Sequence, residues 1–292
     1  MKKRKWKLGD RYDGYKLKNI DPIIKLMPYI MRYRSDSLNM FSSSIDITQA
    51  EKYIKQKHEE GYTHFGLLHL ILAAYVRTVS QRPAINRFVS GQKIYARKNI
   101  EICMTVKKEM NLDAPETCII MTFEPDSTPV DIYNKFNEIV QQSKTEDENS
   151  SFDKTIKILN YIPGFIFKFV MFLLRTLDYF GLLPRFLLKV SPFHASMVIT
   201  SMGSLGIPPI FHHIYDFGNI PLFVAYGKRR KVREMNSDGE FEDKVYSDIC
   251  VVTDERICDG YYYASAFKML QRLIRSPEKM DTPPEEIIED VE

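Results

Sequence analysis

Apolar positions change their spacing several times along the chain, and each change marks an element. Asp46-Ile47-Thr48-Gln49-Ala50-Glu51 sets Thr48 and Glu51 at capping-box spacing and predicts a helix to about Glu60, stopped by Gly61. A second helix is expected from about Thr63 to Gln81, because FGLLHLILAAYV is apolar on nearly every face and Pro83 bars continuation. Such a helix is buried. Beyond it come short β-type runs: Arg87 to Val89, a turn at Ser90-Gly91, Gln92 to Ala96, Ile100 to Val106 and Thr117 to Phe123. Thr128-Pro129-Val130-Asp131 opens the next helix with a cap, a first-position proline and an early acid. Ile132, Phe136, Ile139 and Val140 form its apolar stripe, and Lys144 to Asp153 reads as a polar loop.

The stretch Ile156 to Val190 follows neither period. Its apolar runs are broken by Lys168, Arg175, Asp178 and Arg185, and its uncharged runs, Phe169 to Leu174 among them, fall far below the roughly 18–20 residues a membrane span needs. Pro163-Gly164, Gly181 and Pro184 divide it into short helices. Three settings suit it: packing on the protein's own body or around a ligand channel, an interfacial membrane element with snorkelling Lys and Arg, or a subunit contact. From Ser196 the chain returns to β character with SMVITS, a glycine-containing loop MGSLGIPP, Pro221 to Gly227, a basic hairpin tip at Lys228 to Arg233, and Lys244 to Thr253. A last helix starts near Gly260, carries Tyr263, Phe267, Leu270 and Ile274 at helical spacing, and ends at Ser276-Pro277. Strands and helices mix without strict βαβ alternation, which favours an α+β sandwich over a doubly wound fold.

With 292 residues, 44% of them apolar and 27% charged, the chain is long enough for a sizeable core and too ordinary in composition for wholesale disorder. The formal net charge of +3 gives no nucleic-acid signature. Charge is uneven only at the ends: MKKRKWK opens a basic segment over residues 1–20, and DTPPEEIIEDVE closes an acidic tail over 278–292, so both ends are expected to be solvated. Cys103, Cys118, Cys250 and Cys258 form no CxxC pair, and no apolar stretch follows the basic start as in a signal peptide, which suits a reducing cytoplasm. No His or Cys spacing suggests a metal.

Two segments carry chemistry. Val251-Val252-Thr253-Asp254-Glu255-Arg256-Ile257-Cys258-Asp259-Gly260 resembles the D-H-R-x-x-D-G or H-H-x-x-x-D-G motif of the chloramphenicol acetyltransferase and dihydrolipoyl acyltransferase clan, with Asp254, Arg256, Asp259 and Gly260 matching. Val198-Ile199-Thr200-Ser201-Met202-Gly203-Ser204-Leu205-Gly206 is similar to that clan's T-I-S-N-L-G-x-x-G strand and loop. Asn219-Ile220-Pro221 with Val224-Ala225 resembles its N-x-P strand. Pro83, Asn86, Gly91 and Tyr95 follow the order of its hairpin, so the resemblance runs from about Pro22 to Pro277, with a helical apolar insertion at about 154–190.

The resemblance implies a chloramphenicol acetyltransferase-like two-layer sandwich of mixed sheet and helices. It implies acyl transfer from acyl-CoA to a hydroxyl or thiol, in a homotrimer whose sites lie between subunits. In such a site Thr200 steadies the oxyanion, and Asp259 braces the turn with an early arginine, preferentially Arg32 over Arg34. Arg256 and Gly260 are expected as structural support. No lipoyl group is expected on this chain, and a small-molecule or lipid-linked acceptor suits it better than a place in a 2-oxoacid dehydrogenase core.

One departure is decisive: Glu255 stands where the motif carries its catalytic histidine. A carboxylate serves as base where burial raises it toward neutrality, but an ionised one opposes a developing oxyanion. His194, His212 and His213 are candidate replacements in space. The alternative expectation is a catalytically degenerate trimer that binds or scaffolds, peripheral to a membrane and holding acyl lipids.

Overall fold

The computed structural model describes residues 5–107, 116–145, 161 and 163–290; most of the expected polar loop and the start of the apolar stretch lie outside these residues. Six strands form one mixed sheet: β2 (Leu38–Asp46), β5 (Ile100–Lys107), β6 (Glu116–Phe123), β7 (Met197–Ser201), β8 (Leu222–Met235) and β9 (Phe241–Asp254). Their order is β2-β9-β8-β7-β5-β6, antiparallel except where β7 meets β5 and β8 in parallel. A small sheet joins β1 (Gly14–Lys16), β4 (Lys93–Arg97) and β3 (Arg87–Ser90). Its β3–β4 turn places both Gly91 and Gln92 at positive φ, the geometry of a tight hairpin.

The period of two decides which side of the large sheet is covered. Along β9, Ile249, Val251 and Thr253 point toward a helix layer, whereas Cys250, Val252 and Asp254 point the other way. The helix layer holds α2 (Thr48–Glu59), α3 (Leu67–Gln81), α4 (Pro129–Thr145) and α7 (Gly260–Arg275); α1 (Pro22–Ile30) lies outside it. Phe41 of β2 meets Phe267 of α7 edge-on at 4.8 Å. In α3, 13 of 15 residues are buried, which is why it is apolar on every face. This is the α+β two-layer sandwich that the sequence predicts.

Several boundaries differ for local reasons. Thr48 is not the cap of α2; the Asp46 carboxylate accepts from its backbone N at 2.9 Å and its hydroxyl at 2.6 Å, so Asp46 closes the turn. Helix α3 begins at Leu67 because the chain first turns back at Tyr62, whose carbonyl accepts from Phe65 N. The basic run Lys228 to Arg233 is strand, not tip: Arg229 to Arg233 pair with Ser247 to Asp243, and the hairpin turns at Asn236–Glu240, where Asn236 Oδ1 holds two backbone N–H groups.

Neither chain end is a loose tail within the described residues. Arg11 is buried, and Gly14–Lys16 pair with β4. At the other end Ile288 donates its N–H to Ser80 O at 2.9 Å, and Arg87 holds the Asp290 carboxylate through two nitrogens at 2.6 and 2.7 Å. Of the tail acids, Asp290 thus serves a particular partner, Arg87.

His69 sits inside α3 among Phe65, Tyr133 and Phe136, with Nδ1 accepting from Gly66 N at 3.0 Å. Burial pushes its pKa from 6.5 down to about 4. The unfolded chain therefore takes up this proton below its ordinary pKa while the folded one resists until about 4. Stability is expected to fall by about 3 kcal/mol as pH drops through this window. Urea unfolding at stepped pH checks it, and His69→Phe should flatten that part of the profile.

Candidate active site

The end of β9 is built around one buried carboxylate. Asp254 is 1% exposed and receives Arg256 in a two-point pairing, Nε to Oδ1 at 2.8 Å and Nη2 to Oδ2 at 2.7 Å. Arg34 Nε lies 3.5 Å from Oδ2, and Ser37 Oγ donates to Oδ1 at 3.1 Å. Burial alone would raise the Asp254 carboxyl; the hydrogen bonds and charge of Arg256, with the charge of Arg34, hold it below the usual carboxylate range. Both guanidiniums also anchor to backbone. Arg34 donates to Tyr215 O at 2.5 Å and Gly218 O at 2.7 Å, and Arg256 reaches the carbonyls of Met31 and Arg32 at 3.2 and 3.3 Å.

This brace fixes the turn that follows. Glu255 donates its backbone N–H to Ser37 O at 2.8 Å, while its side chain projects outward, exposed and without an ion pair among the described residues. Arg256 faces inward and is buried. The bracing pair expected between Asp259 and Arg32 is absent. Asp259 is exposed and caps α7, accepting from Tyr262 N at 2.8 Å, and Gly260 opens that helix; Arg32 is exposed, over the Tyr33 ring at 5.4 Å. The arginine that the fold uses is Arg34, and the acid is Asp254. The signal for Asp254 was local, an acid and an arginine, Arg256, flanking one residue at a strand end; Arg34 has no such local signal.

Thr200 is half-buried on β7, in register with Ala225 of β8, which itself pairs with Cys250 of β9. Glu255 lies five residues beyond Cys250, so the two candidate residues stand about 16 Å apart along the strands and about 10 Å apart across them. A single chain does not bring them together.

The three histidines have different surroundings. His194 is buried, with Nδ1 at 2.7 Å from Ser191 Oγ and Nε2 at 3.5 Å from Asp178. It belongs to a second buried network, in which Arg11 joins Asp13 at 2.8 Å and Asp178 at 2.7 Å, and Arg97 and Asp13 hold the Asn219 side chain at 2.8 and 3.0 Å. Although burial opposes it, the contacts of Asp178 with His194 and Arg11 keep that carboxyl at about 2. His213 is exposed against Tyr215. His212 stacks on Phe223 at 4.3 Å, and burial, with the neighbouring His213, lowers its pKa; its Nε2 is buried without a partner among the described residues.

A cavity of about 700 Å³ opens between β4, the C-terminal segment and the apolar insertion, but neither Thr200 nor Glu255 lines it. Acidic side chains outnumber basic ones there, which does not suit the diphosphate of a CoA ester. Among the described residues no cluster of His, Cys, Asp and Glu could hold a metal ion.

The architecture is the chloramphenicol acetyltransferase-like sandwich. The chain is similar to the cubic core of the pyruvate dehydrogenase multienzyme complex, with TM-score 0.58, 14% identity, and coverage of 92% of this chain and 95% of that one. It is similar to Azotobacter vinelandii dihydrolipoamide acetyltransferase, with TM-score 0.57, 15% identity, and coverage of 91% and 95%. To chloramphenicol acetyltransferase the values are 0.54, 10%, 89% and 99%. No sequence-family model and no curated sequence matches, so the likeness is one of fold.

Proposed function

We propose that the protein is an acyltransferase that moves an acyl group from a CoA thioester to a hydroxyl or thiol acceptor, in a site completed between copies of a homotrimer. The observation that carries this reading is the braced turn. Two buried arginines and a buried aspartate are committed to holding one exposed carboxylate rigidly outward, on a scaffold shared with acetyltransferases. Around it lie exposed apolar groups, Tyr29 and Ile30 of α1, Tyr33 and Met40, as a surface destined for a subunit contact requires.

In the reaction the Glu255 carboxylate takes the acceptor's proton as the acceptor attacks the thioester carbonyl. Thr200 donates its hydroxyl hydrogen bond to the oxyanion, and collapse breaks the C–S bond. The CoA thiolate then takes the proton back from Glu255. A carboxylate base ends neutral where an imidazole would end positive, so the oxyanion relies more on Thr200.

Release of free thiol from acetyl-CoA and longer acyl-CoAs, with a panel of alcohol and thiol acceptors, tests the reading. Turnover that Glu255→Gln removes supports it. Turnover that survives Glu255→Gln but not His212→Asn moves the base to His212, whose neutral ring and free Nε2 favour that second reading. No thiol release from the wild type, with activity appearing in Glu255→His, leaves a degenerate binding protein.

A further inference from the structure

We infer that the apolar insertion, α5 (Gly164–Tyr179) and α6 (Arg185–Val190), together with the exposed Lys5 to Leu8, is a docking surface for an anionic phospholipid bilayer. This inference stands apart from acyl transfer. The helix α5 leaves an unusual amount of apolar surface in solvent: Phe165 is 76% exposed, Phe169 64% and Phe172 66%. At spacings of four and three residues these rings form one stripe. Phe180, Leu182 and Phe186 extend it toward α6. At 16 residues the helix is about 24 Å long, and no helix among the described residues is long and apolar enough to cross a membrane. Such a face lies in the interface rather than through it.

Charge identifies the occupant. Lys168 and Arg175, seven residues apart, flank the phenylalanine stripe, and Arg185 and Lys189 follow; all four are exposed. The one acid between Gly164 and Val190 is Asp178, on the opposite side of α5. It is buried against Arg11 and His194, so it anchors the helix to the body and contributes nothing outward. The hairpin tip supports this anchor: Tyr179 donates its hydroxyl to Gln92 Oε1 at 2.9 Å, and a side chain at Gly91 would strike the Tyr179 carbonyl. The outward surface is therefore aromatic and cationic without an acid. That matches the boundary between acyl chains and negative headgroups, where aromatic rings insert and Lys and Arg reach phosphate.

The N-terminal segment joins the same surface. Arg185 lies over the Tyr12 ring at 4.6 Å, and just before it come the exposed Lys5, Trp6, Lys7 and Leu8. Trp6 is the sole tryptophan of the chain and so reports on this surface alone.

Flotation of the full-length protein with phosphatidylcholine vesicles, alone or with about one-third phosphatidylglycerol, tests the assignment. Binding to the anionic vesicles is expected, with Trp6 emission moving to shorter wavelength and quenched by brominated acyl chains. Lys168→Glu with Arg175→Glu is expected to weaken binding about tenfold or more. Phe165→Ser with Phe169→Ser and Phe172→Ser should abolish it while the thermal unfolding midpoint stays unchanged, since all three rings are exposed. Absence of flotation with either vesicle, or variants that bind like the wild type, overturns the inference. So does a fall in the assembly's mass in lipid-free solution on triple substitution, which would make the face a subunit contact.

Discussion

In the proposed homotrimer, reassembly from an equal mixture of Glu255→Gln and Thr200→Val protomers is expected to restore about a quarter of the wild-type sites. The geometry of one chain dictates this. Thr200 is in register with Cys250 through Ala225, and Glu255 lies five residues past Cys250, so no side-chain motion closes the gap within a protomer. Each variant alone should lose roughly 10²–10³ in turnover, through the missing base in one and the missing oxyanion donor in the other. In a mixed trimer, a site pairing Glu255 of the Thr200→Val copy with Thr200 of the Glu255→Gln copy is intact. Stopped assays of acyl-CoA thiol release before and after mixing, with reassembly followed by native mass spectrometry, read the effect. A mixture no more active than its two components removes the intersubunit site, and with it the joint role of Glu255 and Thr200. Thr200→Ser keeps a hydroxyl at the same strand position and should retain much of the turnover that Thr200→Val loses.

Much of the fold was legible because local and global signals agree. Thr128 and Asp131 form the expected reciprocal cap, with Asp131 accepting from Thr128 N at 2.9 Å. The strands between Arg87 and Phe123, and the stripe of Tyr263, Phe267, Leu270 and Ile274, fall where their spacing puts them. What stayed hidden depends on contacts distant in sequence. Arg34 and Arg32 are indistinguishable by composition. Only the position of the loop at Tyr215 and Gly218, about 180 residues away, makes Arg34 the buried partner of Asp254. Asp178 reads as one more charge interrupting an apolar run until Arg11, 167 residues earlier, is seen against it. The chain ends mislead for the same reason, since net charge says nothing about whether a particular Arg87 awaits Asp290. As for the candidate site, the strands that carry it were readable, whereas the separation of Thr200 from Glu255 is a matter of register.

Asp254→Ala is expected to destabilise the fold by about 3–5 kcal/mol, several times more than the corresponding change at Asp259. Removing the carboxylate strands two guanidiniums that are 5% and 3% exposed, Arg34 and Arg256, with only backbone carbonyls to receive them. That is the costly half of a buried ion pair, a charge left without its counterpart. Asp259→Ala removes one helix cap at an exposed position and should cost about 1 kcal/mol. The same contrast separates the two arginines: Arg34→Ala should be severe, while Arg32→Ala should stay within about 0.5 kcal/mol, because Arg32 is exposed. The pH dependence has a definite sign. The folded pKa of Asp254 is depressed, so its contribution is fully present above the ordinary carboxylate range and is lost as pH falls through the depressed value. Denaturant unfolding of the four variants at neutral pH reads the ranking directly. Equal losses at Asp254 and Asp259 would mean that the turn carrying Glu255 is held by the helix cap and not by the buried acid, and the rigid presentation of that side chain would have no source.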